Sequence, residues 1–279
     1  MNLTSQFNNK GFCVINNLFN KKTLFKIKKE ILKKVKTKNN FFPVKDIKYY
    51  EKINHNLRAP NGSLKKNLKN KDLNKGLSHI KYFTNSLSLK NPLINIKYLN
   101  NLIYEKRLFN IVNKIFKSKT FYLGYIKVGF FFNNQLPKNC INYFHTDDLK
   151  NRSSKDISTI KFSVALNDED KTKSEFGIIP INKNKLSIKK QYFLKNEISK
   201  KISKKIIHPI ISTGDAILFD PINFYHVANK PKKKPRIIIY IEFLRRSKKK
   251  IYNKIKIKKN FYNKLTNENK KISKNFLIV

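Results

Sequence analysis

The apolar residues of this chain follow a helical period in its first part and a strand-like period in its second part. Over residues 21–36 they recur every three or four positions among lysines, which predicts an amphipathic helix. Residues 91–117 repeat that spacing and predict a second helical region. Residues 11–15 predict a short strand, whereas residues 37–80 are rich in Asn, Lys, Gly and Pro and predict irregular structure.

From residue 121 onward, short apolar runs of strand length alternate with turn residues. Most of the runs are too close together for helical crossovers, so we expect antiparallel strands. Eight such strands favour a double-sheet jelly roll of the cupin type, and the predicted fold class is α+β: a double-stranded β-helix core with N-terminal helices packed on it. The eight runs are Phe121–Phe132, Ile141–His145, Ser158–Leu166, Phe176–Pro180, Ile206–Ile211, Asp215–Asp220, Phe224–Ala228 and Arg236–Leu244.

The length of 279 residues accommodates one large domain with a sizeable core. We expect a single domain over residues 1–244, with a helical and irregular part at 1–117 and the jelly-roll core at about 118–244. Residues 245–279 are rich in Lys and Asn and predict a basic C-terminal extension, which is either a free tail or a terminal helix packed on the barrel. Because no stretch approaches the roughly 18 apolar residues of a membrane span and residues 1–10 are polar, we expect a cytoplasmic protein.

The chain is strongly basic, with 62 Lys and Arg residues against 17 Asp and Glu and a formal net charge of +45. Six of the basic residues are Arg, and the lysines are interleaved with Asn along the whole chain. A dedicated nucleic-acid binder favours Arg and concentrates its charge, so we interpret the lysines as compositional bias on a solvated surface and expect no specific nucleic-acid partner. Two cysteines exclude a disulfide scaffold and a cysteine-rich zinc site.

Metal-ligand side chains occur on two of the predicted strands. His145 and Asp147 are two residues apart, so on a strand both point to the same face, whereas Asp148 points to the other. A single His-x-Asp pair is a weak signal in this composition, but His226 lies on the seventh run. Two His and one carboxylate make the facial triad of non-haem Fe(II) oxygenases, which leaves coordination positions open.

Arg236 begins the last apolar run, ten residues after His226. We interpret the intervening residues 229–235 as a hairpin loop. Closure with Ala228 opposite Arg236 places His226 opposite Ile238 and all four side chains on one face. A guanidinium at the start of a buried strand favours a carboxylate partner in the same cavity.

The order and spacing of these motifs resemble the Fe(II)/2-oxoglutarate-dependent oxygenases, specifically the phytanoyl-CoA dioxygenase-like family. The resemblance covers most of the chain, through Gly11–Phe19, His145–Asp147, Ala165–Asp168 with Gly177–Pro180, Gly214–Phe219, and the spacing of His226 and Arg236. The chain departs from the family after Pro180, where Ile181–Lys183 stands in place of Gly-Ser-His, and after the distal His, where Val227 and Ala228 stand in place of Ser or Gly.

The resemblance implies a dioxygenase that consumes O₂ and 2-oxoglutarate, hydroxylates an unidentified small-molecule or carrier-linked substrate, and releases succinate and CO₂. It implies that Fe(II) binds His145, Asp147 and His226, and that the far carboxylate of 2-oxoglutarate pairs with Arg236. Further contacts with the cosubstrate are expected from Tyr143, Ser163 and Lys127, with Lys161 less favoured. We expect His208 to be structural, and His55 and His79 to lie in irregular structure.

Two other functions stay open. A catalytically inactive jelly-roll protein would use its basic surface for an anionic partner, but it would not need the complete triad together with Arg236. A cupin-type enzyme that uses the metal without 2-oxoglutarate would not need Arg236, and a halogenase would lack Asp147. The oligomeric state is not determined by the sequence.

Overall fold

The computed structural model describes residues 2–36, 86–89, 91–131, 144–147, 157–168, 176–186, 192–193, 198–228, 236–245, 255–274 and 276–279. Several predictions from the sequence fall outside these ranges. They are the irregular structure at 37–80, the two histidines within it (His55 and His79), and Tyr143 and Asp148.

The helices lie mainly before residue 117, as the apolar period predicted. In chain order they are α1 (Leu3–Lys10), α2 (Lys21–Lys36), α3 (Pro92–Asn95), α4 (Lys97–Leu102), α5 (Lys106–Phe116), α6 (Lys200–Ser203), α7 (Lys259–Asn263) and α8 (Asn267–Ile272). The helical patterns at 21–36 and 91–117 are therefore confirmed, the second one as three consecutive helices.

Helix α1 was not predicted, because the first ten residues are polar. Its signals are local ones: Asn2 caps the start by accepting a hydrogen bond from the backbone N–H of Thr4, at 3.2 Å. Gly11 ends it with φ of +74°, a conformation that favours glycine. A Cβ at Gly11 would lie 2.3 Å from the ring of Phe224, so this glycine also permits close packing against the second half of the fold.

The strands are β1 (Phe12–Ile15), β2 (Ser86–Ser88), β3 (Tyr122–Phe131), β4 (Phe144–His145), β5 (Thr159–Ala165), β6 (Phe176–Asn182), β7 (Tyr192–Phe193), β8 (Ala216–Phe219), β9 (Phe224–Ala228), β10 (Arg236–Leu244), β11 (Lys256–Ile257) and β12 (Leu277–Ile278). They form an antiparallel six-stranded sheet, in the order β1-β8-β5-β10-β3-β2, and an antiparallel four-stranded sheet, in the order β6-β9-β4-β7. Strands β11 and β12 form a small parallel pair. The prediction of α+β structure with antiparallel sheets is confirmed.

Seven of the eight predicted runs contain a strand. The exception is Ile206–Ile211, where Ile207 makes an isolated antiparallel bridge to Ile178. The physical reason is Pro209, which has no N–H to donate to a ladder. The short strand β7, which pairs with β4, was not predicted.

Side chains alternate in direction along each strand of the six-stranded sheet, and this alternation divides the core into two main layers. One face packs against the helices and forms the helix-side core, which includes Ile237, Ile239, Ile241 and Phe243 of β10. The other face packs against the four-stranded sheet and forms the inter-sheet core, made of Phe12, Ala165, Phe176, Ile178, Ile211, Ile217, Phe219, Phe224 and Ile238. Because β10 is covered on both faces, its sequence is nearly continuously apolar.

The predicted hairpin between β9 and β10 is wrong. Ala228 pairs with Phe176, while Ile238 pairs with Gly129 and Ala165, so the two strands belong to different sheets. A seven-residue connection is long enough to cross the roughly 10 Å between two packed sheets. The orientation of Arg236 does not depend on the hairpin, because residues two apart on β10 share a face, and Ile238 lies in the inter-sheet core.

The described part of the C-terminal segment packs against the domain. Ile255 and Ile272 are buried in the helix-side core, and Ile257 is also fully buried. Tyr104 reaches this segment through a 2.6 Å hydrogen bond between its hydroxyl and that of Ser273, and its ring stacks on Phe261. The boundary at residue 244 stays a prediction. Among the described residues, the helices are all too short or too polar to span a membrane.

Substitution of Phe243 by Ala is expected to lower the free energy of unfolding by about 3–5 kcal/mol. Phe243 is fully buried, and its ring contacts those of Phe109, Phe121 and Phe162 at centroid distances of 6.2, 5.5 and 5.9 Å. The matched control is Phe25→Ala, because Phe25 is 66% exposed and its loss should change stability by less than about 0.5 kcal/mol. Urea denaturation measures both, and equal effects would contradict the assignment of the helix-side core.

Candidate metal centre

Two histidines from distant parts of the chain meet on neighbouring strands. His145 of β4 is paired directly with His226 of β9, and their ring centroids lie 4.3 Å apart. Residues directly opposite each other in an antiparallel pair share a face of the sheet. The pairing therefore places both imidazoles on the same side, which is the side of Phe224 and the inter-sheet core.

Asp147 completes the cluster through a backbone contact. Its N–H donates a 2.7 Å hydrogen bond to the carbonyl oxygen of Pro221, in the turn that leads into β9. Its Oδ1 lies 3.7 Å from Nε2 of His145 and 3.9 Å from Nε2 of His226. One ligand atom from each of the three side chains lies within 4.8 Å of the others, so together they are suited to hold a metal ion.

The turn that holds Asp147 is itself ordered by a buried carboxylate. Asp220 accepts hydrogen bonds from the backbone N–H groups of Ile222 and Asn223, at 2.9 and 3.0 Å, and from Nδ2 of Asn223, at 2.8 Å. Burial raises the pKa of Asp220, and these hydrogen bonds oppose that rise. Because the turn carries Pro221 and begins β9, it links the position of Asp147 to that of His226.

His226 is held as a neutral imidazole. Burial, and after it the neighbouring His145, lower its pKa to about 3, because the charge of Asp147 opposes them only in part. Its Nδ1 lies 3.3 Å from the carbonyl oxygen of Phe224, which favours a proton on Nδ1 and leaves Nε2 to bind a metal. The rings of Phe219 and Phe176 lie 4.9 and 6.2 Å from that of His226 and shield it from water.

A lysine and a second carboxylate border the triad. Lys161 of β5 donates a hydrogen bond to Oδ2 of Asp147, and its Nζ lies 3.5 Å from Oε2 of Glu242. Burial alone would raise the pKa of Asp147, but Lys161 and the two imidazoles outweigh it and hold that pKa well below its usual range. Asp147 is therefore ionised at any pH at which a metal would bind.

The sequence favours Ser163 over Lys161 as a cosubstrate contact and does not predict Glu242 as part of the site. The available signal was Glu242 itself, an acidic residue inside the otherwise apolar run of β10. Its partner was not available from the sequence, because the pairing of Glu242 with Lys161 follows from the register between β10 and β5.

The remaining candidate residues of the described chain lie on the six-stranded sheet. Arg236 is 2% exposed and shares the inner face of β10 with Ile238. Ser163, Tyr240 and Lys127 form one row across β5, β10 and β3, so they also share that face. Outside this group, His208 has its Nδ1 at 3.0 Å from the carbonyl oxygen of Phe176, in agreement with a structural role.

Comparison with known proteins gives matches at the level of structure only. No protein-family profile matches the chain. No curated protein sequence matches it either.

Three solved structures share the fold over most of their length. The epimerase SnoN, in complex with Fe³⁺, α-ketoglutarate and nogalamycin RO, superposes with a TM-score of 0.56 at 10% identity and covers 87% of this chain and 82% of its own. SnoK, a non-haem α-ketoglutarate-dependent carbocyclase from nogalamycin biosynthesis, has a TM-score of 0.56 at 9% identity and covers 87% and 83%. HygX from Streptomyces hygroscopicus, with nickel and 2-oxoglutarate bound, has a TM-score of 0.52 at 11% identity and covers 87% and 85%. The chain therefore shares the fold of these three proteins.

The low pKa of His226 predicts a loss of stability in mild acid. Below its ordinary pKa of 6.5 the unfolded chain binds a proton at His226 that the folded protein does not bind until about pH 3. The stability from neutral His226 is thus complete above pH 6.5 and decreases as the pH falls, by roughly 2 kcal/mol at pH 5. Urea denaturation of metal-free protein at pH 7.5 and 5.0 measures this loss. His226→Asn should show a smaller decrease between these pH values, and an equal decrease would contradict the assignment.

Proposed function

We propose that the protein is a non-haem Fe(II)/2-oxoglutarate-dependent dioxygenase that hydroxylates a small-molecule or carrier-linked substrate. The observation that carries this proposal is the cluster of His145, Asp147 and His226, whose ligand atoms lie within 4.8 Å of one another on the inner face of a double antiparallel sheet. Two imidazoles and one carboxylate are the donor set that suits Fe(II) and leaves positions open for a cosubstrate and O₂.

The topology supports a double-stranded β-helix. In a jelly roll of eight strands, the first pairs with the eighth, the second with the seventh, the third with the sixth and the fourth with the fifth. The same four pairings occur here, as β3 with β10, β4 with β9, β5 with β8, and β6 with the bridge at Ile207. We infer that the two sheets wind as that fold, with the triad inside one end of the barrel.

The side chains of the site fit the proposed cofactors. Neutral His226 and ionised Asp147 are in the protonation states that a metal ligand requires. Fe(II) held by the triad, with 2-oxoglutarate beside it, would supply the O₂ activation that hydroxylation of a C–H bond needs. SnoN and HygX, which have the same fold, were crystallised with a metal and with 2-oxoglutarate, which is also called α-ketoglutarate. This supports the assignment for the present chain.

Arg236 is the proposed partner of the far carboxylate of 2-oxoglutarate. A guanidinium that is 2% exposed and shares the inner face of β10 with the inter-sheet core is well placed to bind a dicarboxylate by charge-assisted hydrogen bonds. Ser163 and Lys127, on the adjacent inner row, are proposed as further polar contacts, and Tyr143 is proposed from the sequence alone.

The type of reaction is a proposal separate from the cofactors. SnoN is described as an epimerase and SnoK as a carbocyclase, so the shared fold supports oxidative chemistry at a C–H bond of a small molecule without specifying the product. We propose hydroxylation because the triad retains its carboxylate, which a halogenase would lack. No described contact favours the alternative of an inactive binding protein.

Fe(II) and 2-oxoglutarate added together to anaerobic protein should produce a visible metal-to-ligand charge-transfer band. His226→Ala should abolish the band, since it removes one of three metal ligands. His208→Ala is the matched control, because it removes an imidazole that lies outside the cluster and should retain the band. Absence of the band from the wild-type protein would overturn the proposed function.

Arg236→Ala should leave Fe(II) binding intact but raise the 2-oxoglutarate concentration needed to form the band by about 10- to 100-fold, since a charge-assisted pair with a carboxylate is lost. Arg236→Lys should be affected less, because it keeps the charge without the bidentate geometry. An unchanged 2-oxoglutarate affinity in Arg236→Ala would remove Arg236 from the site.

A further inference from the structure

The two carboxylate oxygens of Asp147 have different partners. Oδ1 faces the two imidazoles, at 3.7 Å from Nε2 of His145 and 3.9 Å from Nε2 of His226. Oδ2 accepts a hydrogen bond from the ammonium group of Lys161. One oxygen is thus directed to the metal position, and the other is engaged by a cation of the protein itself.

Lys161 is held in place from other sides. Its Nζ lies 3.5 Å from Oε2 of Glu242 and 5.8 Å from the centre of the Tyr125 ring. Lys161 and Glu242 are direct partners on the central strands β5 and β10, and their side chains are only 15% and 10% exposed. Because the Glu242 carboxylate and the Tyr125 ring both lie close to its ammonium group, Lys161 has little freedom to leave Asp147.

The number of carboxylate oxygens through which Asp147 binds the metal determines how many coordination positions remain for other ligands. Three single-atom ligands on an octahedral ion leave three positions, which is enough for a two-atom chelating cosubstrate and O₂. Carboxylates also bind metals through both oxygens, and that mode would occupy one of the three remaining positions. A cation fixed on Oδ2 disfavours the two-oxygen mode.

We propose that Lys161 is a positioning residue that restricts Asp147 to one metal-binding oxygen and thereby keeps the cosubstrate positions open. This inference rests on the proposed function, because it concerns the same metal centre. It assigns to Lys161 a role through Asp147 and not a contact with the cosubstrate.

Removal of Lys161 has two consequences for binding that can be separated. A cation beside a metal position repels the metal, so its loss should leave metal affinity unchanged or increase it. The released Oδ2 can then bind the metal in competition with the cosubstrate, so 2-oxoglutarate affinity should decrease, by about 10-fold or more. General damage to the site would instead weaken both the metal affinity and the 2-oxoglutarate affinity.

The experiment compares Lys161→Met, Lys161→Arg and Glu242→Gln with wild-type protein under anaerobic conditions. Calorimetry with Fe(II) gives the metal affinity, titration of the charge-transfer band gives the 2-oxoglutarate affinity, and the d–d spectrum of Co(II)-loaded protein reports the coordination of the metal. Lys22→Met is the control, since Lys22 is an exposed residue of α2. Melting temperatures confirm folding, and Lys161→Gln replaces the Met variant if that variant does not fold.

For Lys161→Met we expect retained or increased Fe(II) affinity, 2-oxoglutarate binding weakened about 10-fold or more, and an altered Co(II) spectrum. Lys161→Arg should restore cosubstrate binding, and Glu242→Gln should show a smaller decrease because Lys161 keeps Asp147 but loses an anchor. A parallel loss of metal and cosubstrate affinity, or wild-type values for both, would overturn the positioning role while leaving the proposed function intact. Wild-type protein that binds no Fe(II) would overturn the proposed function and this inference with it.

Discussion

The pairing of β4 with β9 is the interaction on which the candidate site depends. It joins His145 and His226, which are 81 residues apart in the sequence, as direct partners in an antiparallel ladder. The turn before β9 then fixes Asp147 through the carbonyl of Pro221. Backbone hydrogen bonds, rather than side-chain contacts, therefore bring the three ligand groups together, and they do so on a rigid sheet where small displacements are costly.

The site is kept ordered because the six-stranded sheet is covered on both faces. Outward residues of β10 pack on the helices, and inward residues of the same strand alternate between apolar Ile238 and the polar groups Arg236 and Glu242. Apolar packing on one face thus holds charged side chains on the other, which compensates for the free-energy cost of placing them away from water. The ammonium group of Lys161 lies between the carboxylates of Asp147 and Glu242, so charges of opposite sign stabilise one another there.

The large surface charge and the charges of the site are physically distinct. The net charge of +45 comes from lysines spread over the whole chain, and charges that are exposed to water are screened by salt. The charges around the triad are few, partly or fully buried, and of both signs, so they act at short range. The electrostatic environment of the candidate metal centre is therefore set mainly by this local arrangement.

The sequence by itself determined the features that depend on local periodicity: the helical patterns, the strands in seven of the eight predicted runs, and the inward side of Arg236. Asp147 lies two residues beyond the end of β4, so its place beside His145 follows instead from its backbone hydrogen bond to Pro221. Alternation along a strand is a property of the backbone, so it survived even where the predicted hairpin was wrong. The tertiary structure decided which strands are partners, and with them the meeting of Lys161 with Asp147 and Glu242. The meeting of His145 with His226 was indicated by the sequence only through the family resemblance. The physical reason is that partner choice depends on which faces can be buried together across the whole chain, and no local pattern encodes that balance.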